Sequence, residues 1–111
     1  MSIDITRLSE LSDLIGKCQQ YHIKFMLLFT IDECPYCNQI LPEWKKASLI
    51  QKDVIFANIE CANFKQGVKN LFQFTTFPHV ILCDEAGGIH KLDMDRNARA
   101  IAQAALKTYK H

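Results

Sequence analysis

Two cysteines, Cys34 and Cys37, stand two residues apart in the stretch Asp32-Glu33-Cys34-Pro35-Tyr36-Cys37. Thiols at that spacing can exchange with a disulfide, supply half of a metal site, or fall one helical turn apart without chemical purpose. The other three cysteines, Cys18, Cys61 and Cys83, stand singly. A zinc site would want a second pair, so no metal is expected. Where a strand runs into the motif and a helix leaves it, the first sulfur lies at the helix N-terminus. Unpaired N–H groups and the positive end of the dipole favour the thiolate there. Cys34 is then the nucleophile. Cys37, about one turn further in and less accessible, is placed to attack a mixed disulfide and release the product. Asp32 and Glu33 oppose the thiolate, each by about 0.5 kcal/mol at roughly 8 Å in a water-like dielectric. That is under about half a pKa unit, whereas the terminus and motif lower such thiols by about one to several units.

The flanking sequence supplies the required elements. Phe25-Met26-Leu27-Leu28-Phe29 is apolar on both faces and reads as a central strand entering the motif. From Cys34 to about Gln51 the pattern is helical, with Ile40, Leu41, Trp44, Ala47 and Leu49 available for burial and Pro42 predicting a kink. Ahead of these, Ile3 and Ile5 suggest a short strand. Ser9 or Ser12 can cap a helix reaching about Tyr21, with Leu8, Leu11, Leu14, Ile15 and Cys18 on one face. Downstream, Val54 to Ile59 is a strand and Asn63 to Phe72 a helix, with Phe64, Val68, Leu71 and Phe72 turned inward. Phe77-Pro78 leads directly into the strand Val80 to Cys83, an arrangement that calls for a cis bond or a sharp turn. A turn over residues 84–88 joins it to Ile89-His90-Lys91-Leu92. The last helix runs from about Arg96 to Tyr109, with Ala98, Ile101, Ala102, Ala105 and Leu106 on one side. Early alternation of strand and helix followed by a hairpin predicts an α/β fold with a mixed central sheet of about five strands flanked by about four helices.

With 111 residues, 49% hydrophobic and 23% charged, the chain suits one globular domain over residues 1–111. A net charge of +1, with the basic residues dispersed, does not ask for nucleic acid or an anionic membrane. The first 30 residues lack the pattern of a secretory leader, and Phe25 to Phe29 is too short to span a bilayer. A cytoplasmic, monomeric protein is expected. Its five cysteines fit reduced thiols with at most one functional pair.

These features, in this order over nearly the whole chain, resemble the thioredoxin superfamily. Leu41-Pro42-Glu43-Trp44-Lys45-Lys46-Ala47 and Phe56-Ala57-Asn58-Ile59-Glu60-Cys61 are similar to segments of thioredoxin and protein disulfide isomerase domains, while the Pro-Tyr dipeptide resembles glutaredoxins. The resemblance implies a thioredoxin fold and a thiol-disulfide oxidoreductase acting on protein or peptide disulfides without a cofactor. A reductase or glutathione would return its electrons. It also implies that Pro78 is cis and lies against the active-site pair, and that the Phe77 backbone pairs with an extended substrate. Pro35, Tyr36, Phe77, Pro78 and His79 are accordingly the expected substrate-binding residues around Cys34 and Cys37. His79 follows the proline where family members often have Thr, and its closeness to the sulfurs suggests a proton donor or a surface neighbour of the site. Cys18, Cys61 and Cys83 are expected to be ordinary buried or half-buried thiols; Cys61, at the end of a strand, is the best candidate among them for a regulatory or intermolecular thiol.

Two positions depart from the family. Where a buried Asp or Glu usually stands six residues before the first cysteine, this chain has Leu28, and the usual lysine partner is missing from Val54 to Glu60. Two other readings therefore stand beside the oxidoreductase. One is a glutathione-dependent or iron–sulfur-binding glutaredoxin-like protein, suggested by Pro-Tyr. The other is a low-turnover peptide-binding module, suggested by Leu28 and the absent lysine.

Overall fold

In the computed structural model, which describes residues 2–107, the strand leading to the motif is buried along its whole length. This strand, β2 (Phe25–Thr30), occupies the middle of a five-stranded sheet with β1 (Ser2–Ile5), β3 (Ile55–Glu60), β4 (His79–Cys83) and β5 (Ile89–Leu92), in the order β1-β3-β2-β4-β5. β1 and β2 both run parallel to β3, whereas β4 is antiparallel to β2 and to β5. The helices are α1 (Leu8–Gln20), α2 (Pro35–Ile50), α3 (Lys65–Phe72) and α4 (Ala98–Leu106). This is the expected mixed sheet with four helices.

Because successive strand side chains alternate in direction, the run in β2 feeds two cores. Phe25, Leu27 and Phe29 join Leu11 and Cys18 of α1 and Val68 and Phe72 of α3. Met26 and Leu28 join Ile40, Trp44 and Ala47 of α2 and Ile101, Ala102 and Ala105 of α4. α1 and α3 thus cover one face of the sheet, and α2 and α4 cover the other.

Several boundaries and faces differ from the sequence reading. α1 begins at Leu8 after Arg7, with no side-chain cap from Ser9 or Ser12; instead Glu10 accepts from the Thr6 N–H at 3.4 Å. α3 begins at Lys65, because the Phe64 N–H closes a turn onto the Cys61 carbonyl at 2.9 Å. Asn97 caps α4 by accepting from the Ala100 N–H at 2.9 Å, leaving Arg96 outside the helix. Residues 108 and 109, expected to end that helix, lie outside the described residues.

Leu49, Leu71 and Leu106, expected inside, are all more than 60% exposed, and Leu8 is also exposed. In α2 the buried place one turn after Trp44 belongs to Ser48, whose hydroxyl donates to the Lys45 carbonyl at 2.6 Å. In the short α3 only the Val68 and Phe72 stripe faces the sheet, and Leu8 and Leu106 are terminal helical residues. α2 runs continuously through Pro42.

Candidate active site

The end of β2 and the start of α2 place the two thiols. Cys34 is the N-cap of α2, with extended backbone, and Pro35 occupies the first helical turn, where a missing N–H costs nothing. The Cys34 sulfur accepts from the Cys37 N–H at 3.2 Å, and the Cys34 carbonyl accepts from Asn38 at 3.1 Å. No acidic residue lies in the first turn of α2, so no helical side chain offsets the positive end of the dipole. Glu33, just before Cys34, has φ of 59°, a left-handed conformation that is uncommon for a side chain of this kind.

Cys34 and Cys37 are joined as a disulfide, their Cα atoms 5.2 Å apart. The first retains 8% of its exposure and the second 1%, the asymmetry that an attacking and a resolving thiol require. Between them, Tyr36 projects with 60% exposure, and the Arg96 guanidinium stands 5.5 Å from its ring centre.

The Phe77–Pro78 peptide bond is cis, and β4 begins at the next residue. Pro78 and His79 line a cavity of about 270 Å³ together with Ile40, three residues beyond Cys37, and with Leu92, Met94 and Arg96. The start of β4 and the first turns of α2 therefore share one depression. Phe77 is half-buried, edge-on to Phe74 at 5.3 Å, with the Lys69 ammonium 5.4 Å from its ring.

His79 pairs in register with Phe29, and its ring stacks on Phe74 at 4.2 Å, which places it on the α1 and α3 side of the sheet. Its Nε2 has no hydrogen-bond partner among the described residues. Burial, and then the charge of Lys91, hold its pKa below the ordinary imidazole value.

Beneath α2 the sheet around Leu28 is apolar. Leu28 is fully buried in one cluster with Met26, Ile40, Trp44, Phe56 and Val80. Two residues along each strand from Leu28 and Phe56, and so on the same face, Thr30 donates to Asn58 Oδ1 at 2.8 Å. Neither partner is an acid.

Cys61 is an ordinary buried thiol, as expected of the three single cysteines, and not a regulatory one: it is fully buried, donates to the Ile59 carbonyl at 3.2 Å, and is pushed up to about 12 chiefly by burial. Cys83 is also pushed up to about 12, by burial first and then by Cys18 and Asp84. Burial raises Cys18 as well. Among the described residues no cluster of His, Cys, Asp or Glu could hold a metal ion, and no helix is long and apolar enough to cross a membrane. Arg96, Met94 and Ile40 were not foreseen at this site. Only the cap at Asn97, which leaves the preceding residue outside the helix, offered a local signal for Arg96.

A family model described as Thioredoxin matches residues 10–107. No curated protein matches the sequence. Among solved structures, the chain is similar to the J-Trx1 fragment of ERdj5, with 14% identity and a TM-score of 0.77 over 93% of this chain and 50% of that one. It is similar to the zinc-bound form of human ERp44, with 14% identity and a TM-score of 0.76 over 95% and 30%. It is also similar to oxidised thioredoxin from Plasmodium falciparum, with 17% identity and a TM-score of 0.74 over 95% of each chain. The chain thus spans half or less of the first two proteins, and identities this low speak to the fold.

Proposed function

Because the chain belongs to the thioredoxin family, we propose that it is a single-domain thiol-disulfide oxidoreductase acting on protein or peptide disulfides in the cytoplasm. The observation that supports this reading best is the disulfide between an N-cap cysteine and a more deeply buried cysteine one turn later. In the reducing direction, the Cys34 thiolate attacks one sulfur of a substrate disulfide. A Cys34–substrate bond forms, and the other substrate sulfur leaves as a thiolate that takes up a proton. Cys37 then loses its proton and attacks the Cys34 sulfur, forming the Cys34–Cys37 disulfide and releasing the second substrate thiol. Two electrons and two protons pass to the substrate. A reductase or glutathione restores the dithiol.

Pro35, Tyr36, Phe77, Pro78 and His79 form the substrate-facing surface in this proposal, with the Phe77 backbone pairing to an extended peptide. The test is insulin-disulfide reduction by the wild type and by Cys34→Ser. The variant should be inactive, and undiminished activity would sink the assignment.

The buried Leu28 supports a second reading, a module that holds a disulfide partner with little turnover, because the position six residues before Cys34 carries no acid to take the Cys37 proton. Cys37→Ala separates the two readings. It should trap mixed disulfides if Cys34 attacks, whereas unmodified variant protein after exposure to a disulfide peptide favours the binding module.

A further inference from the structure

Arg96 stands between β5 and α4, held outside the helix by the Asn97 cap. Its guanidinium lies 5.5 Å from the centre of the Tyr36 ring, within the range of cation–π attraction. Among the described residues it forms no ion pair with a carboxylate, although Asp95 precedes it directly. It also lines the cavity that holds Pro78, whose walls include Ile40, Leu92 and Met94. One cation therefore joins the residue between the two cysteines to the cis-proline depression.

The charges around that depression do not cancel. Lys91 and Asp93, one cation and one anion, line it too, and the Lys91 ammonium is drawn off to the Gln73 carbonyl at 2.5 Å. Arg96 is the positive charge left over. Asp32 and Glu33, which would repel an anion, precede Cys34 and are not part of the lining. The site is thus polarised, acidic ahead of Cys34 and cationic over Pro78.

The geometry points to Arg96 as a specificity-determining residue that selects disulfide substrates carrying an acidic residue beside the reacting cysteine, on the flank that lies over Pro78. A guanidinium offers paired N–H groups to a carboxylate, and stacking on Tyr36 holds it ready with less conformational freedom to lose. The selection rests on the oxidoreductase reading for the identity of the substrate, but it is itself a property of binding.

The test uses peptides with one disulfide that differ only in the residue beside one cysteine, Glu, Gln or Lys, placed on either flank. Serine-for-cysteine versions give equilibrium affinities without chemistry. Wild-type protein should favour the Glu peptide over the Gln peptide by about two- to fivefold on one flank only, the size of a rim charge contact. The preference should lie in KM and affinity and shrink with added salt. Arg96→Ala should bring the ratio to about one, Arg96→Lys should keep part of it, and Arg96→Glu should turn it toward the Lys peptide. An unchanged ratio in Arg96→Ala overturns the assignment. Dependence on Arg96 seen with oxidised glutathione alone also overturns it, because the carboxylate would then come from the small thiol. Selective binding without reduction upholds the role of Arg96 and removes the redox reading. Reduction without selectivity does the reverse.

Discussion

Replacing Leu28 by Asp would put a carboxyl group on the sheet face that α2 covers. Leu28 is fully buried, with Asn58 opposite it on β3 and Val80 opposite it on β4, in one cluster with Ile40 and Trp44. Losing the leucine's packing costs about 3–5 kcal/mol where the site cannot collapse. A carboxylate in its place would cost more, so the new group holds its proton above the ordinary value of about 3.9. A raised folded-state pKa means that the unfolded chain releases the proton first. Stability is then lost as pH climbs from about 4 through the folded pKa. Near neutral pH the total loss should reach about 4–6 kcal/mol, which at a urea slope of about 2 kcal/mol per molar moves the midpoint down by about 2–3 M. The assay is urea unfolding at pH 5 and pH 8, with Leu28→Asn as the polar variant that cannot titrate. Leu28→Asp should lose more at pH 8 than at pH 5, and Leu28→Asn should lose the same at both. A loss below about 1 kcal/mol, or equal losses for Asp at the two pH values, would refute a dry environment at this position.

Three further outcomes follow from burial. After reduction at pH 8, a disulfide reagent should label Cys34 rapidly and leave Cys18, Cys61 and Cys83 untouched until urea is added, because all three are buried and Cys61 and Cys83, pushed up to about 12, are ionised to about one part in ten thousand there; rapid labelling of Cys61 in the native protein would contradict its placement. His79 is held below the ordinary imidazole value, so the unfolded chain binds that proton more readily and stability falls as pH drops below about 6.5. His79→Phe, which keeps the stack on Phe74, should flatten the melting temperature against pH between about 6.5 and 5. Finally, Leu71→Ser should cost under about 0.5 kcal/mol and Val68→Ala about 1–3 kcal/mol, read from denaturant midpoints, because only the second removes buried atoms.

What the chain made legible was the framework that repeats a physical rule at each step. A run such as Phe25 to Phe29, apolar at every position, can be satisfied only where both faces of a strand are covered, and β2 is buried throughout. The proline before β4 announced an unusual bond, and the Phe77–Pro78 peptide is cis. Helix faces were less legible, because a leucine at a permissive spacing is indistinguishable from a core leucine until the neighbouring surface is fixed. Leu49 and Leu71 match their helical patterns and yet face outward, since Ser48 takes one place and α3 is too short to offer a second inward stripe. Cys61, the single thiol best placed by its strand end for a regulatory role, is closed off for a related reason. The end of a strand is usually accessible, but here the turn that closes with Phe64 seals the thiol. The Asn97 cap signals only that Arg96 lies outside the helix; its approach to Tyr36 comes from the fold, across 60 residues of sequence.

The two halves of the proposed disulfide exchange make different demands on the groups around Cys34 and Cys37. Attack by Cys34 needs a stabilised thiolate, which the backbone supplies through the N-cap position, the helix dipole and the Cys37 N–H, none of them dependent on a side chain. Resolution by Cys37 needs a place for its proton in a pocket where the sulfur is nearly inaccessible. On the sheet face beneath, Leu28 and Phe56 present hydrocarbon, and the polar pair Thr30 and Asn58 is spent on a bond between its own members. Neither a threonine hydroxyl nor an amide can act there as a base of suitable strength. The acid further along that face is Glu60, in register with Thr30 and half-buried at the end of β3. In the proposed exchange, a side chain that fixes the captured substrate, as Arg96 would, bears on the attack by Cys34, while the proton of Cys37 depends on what Glu60 and solvent can accept.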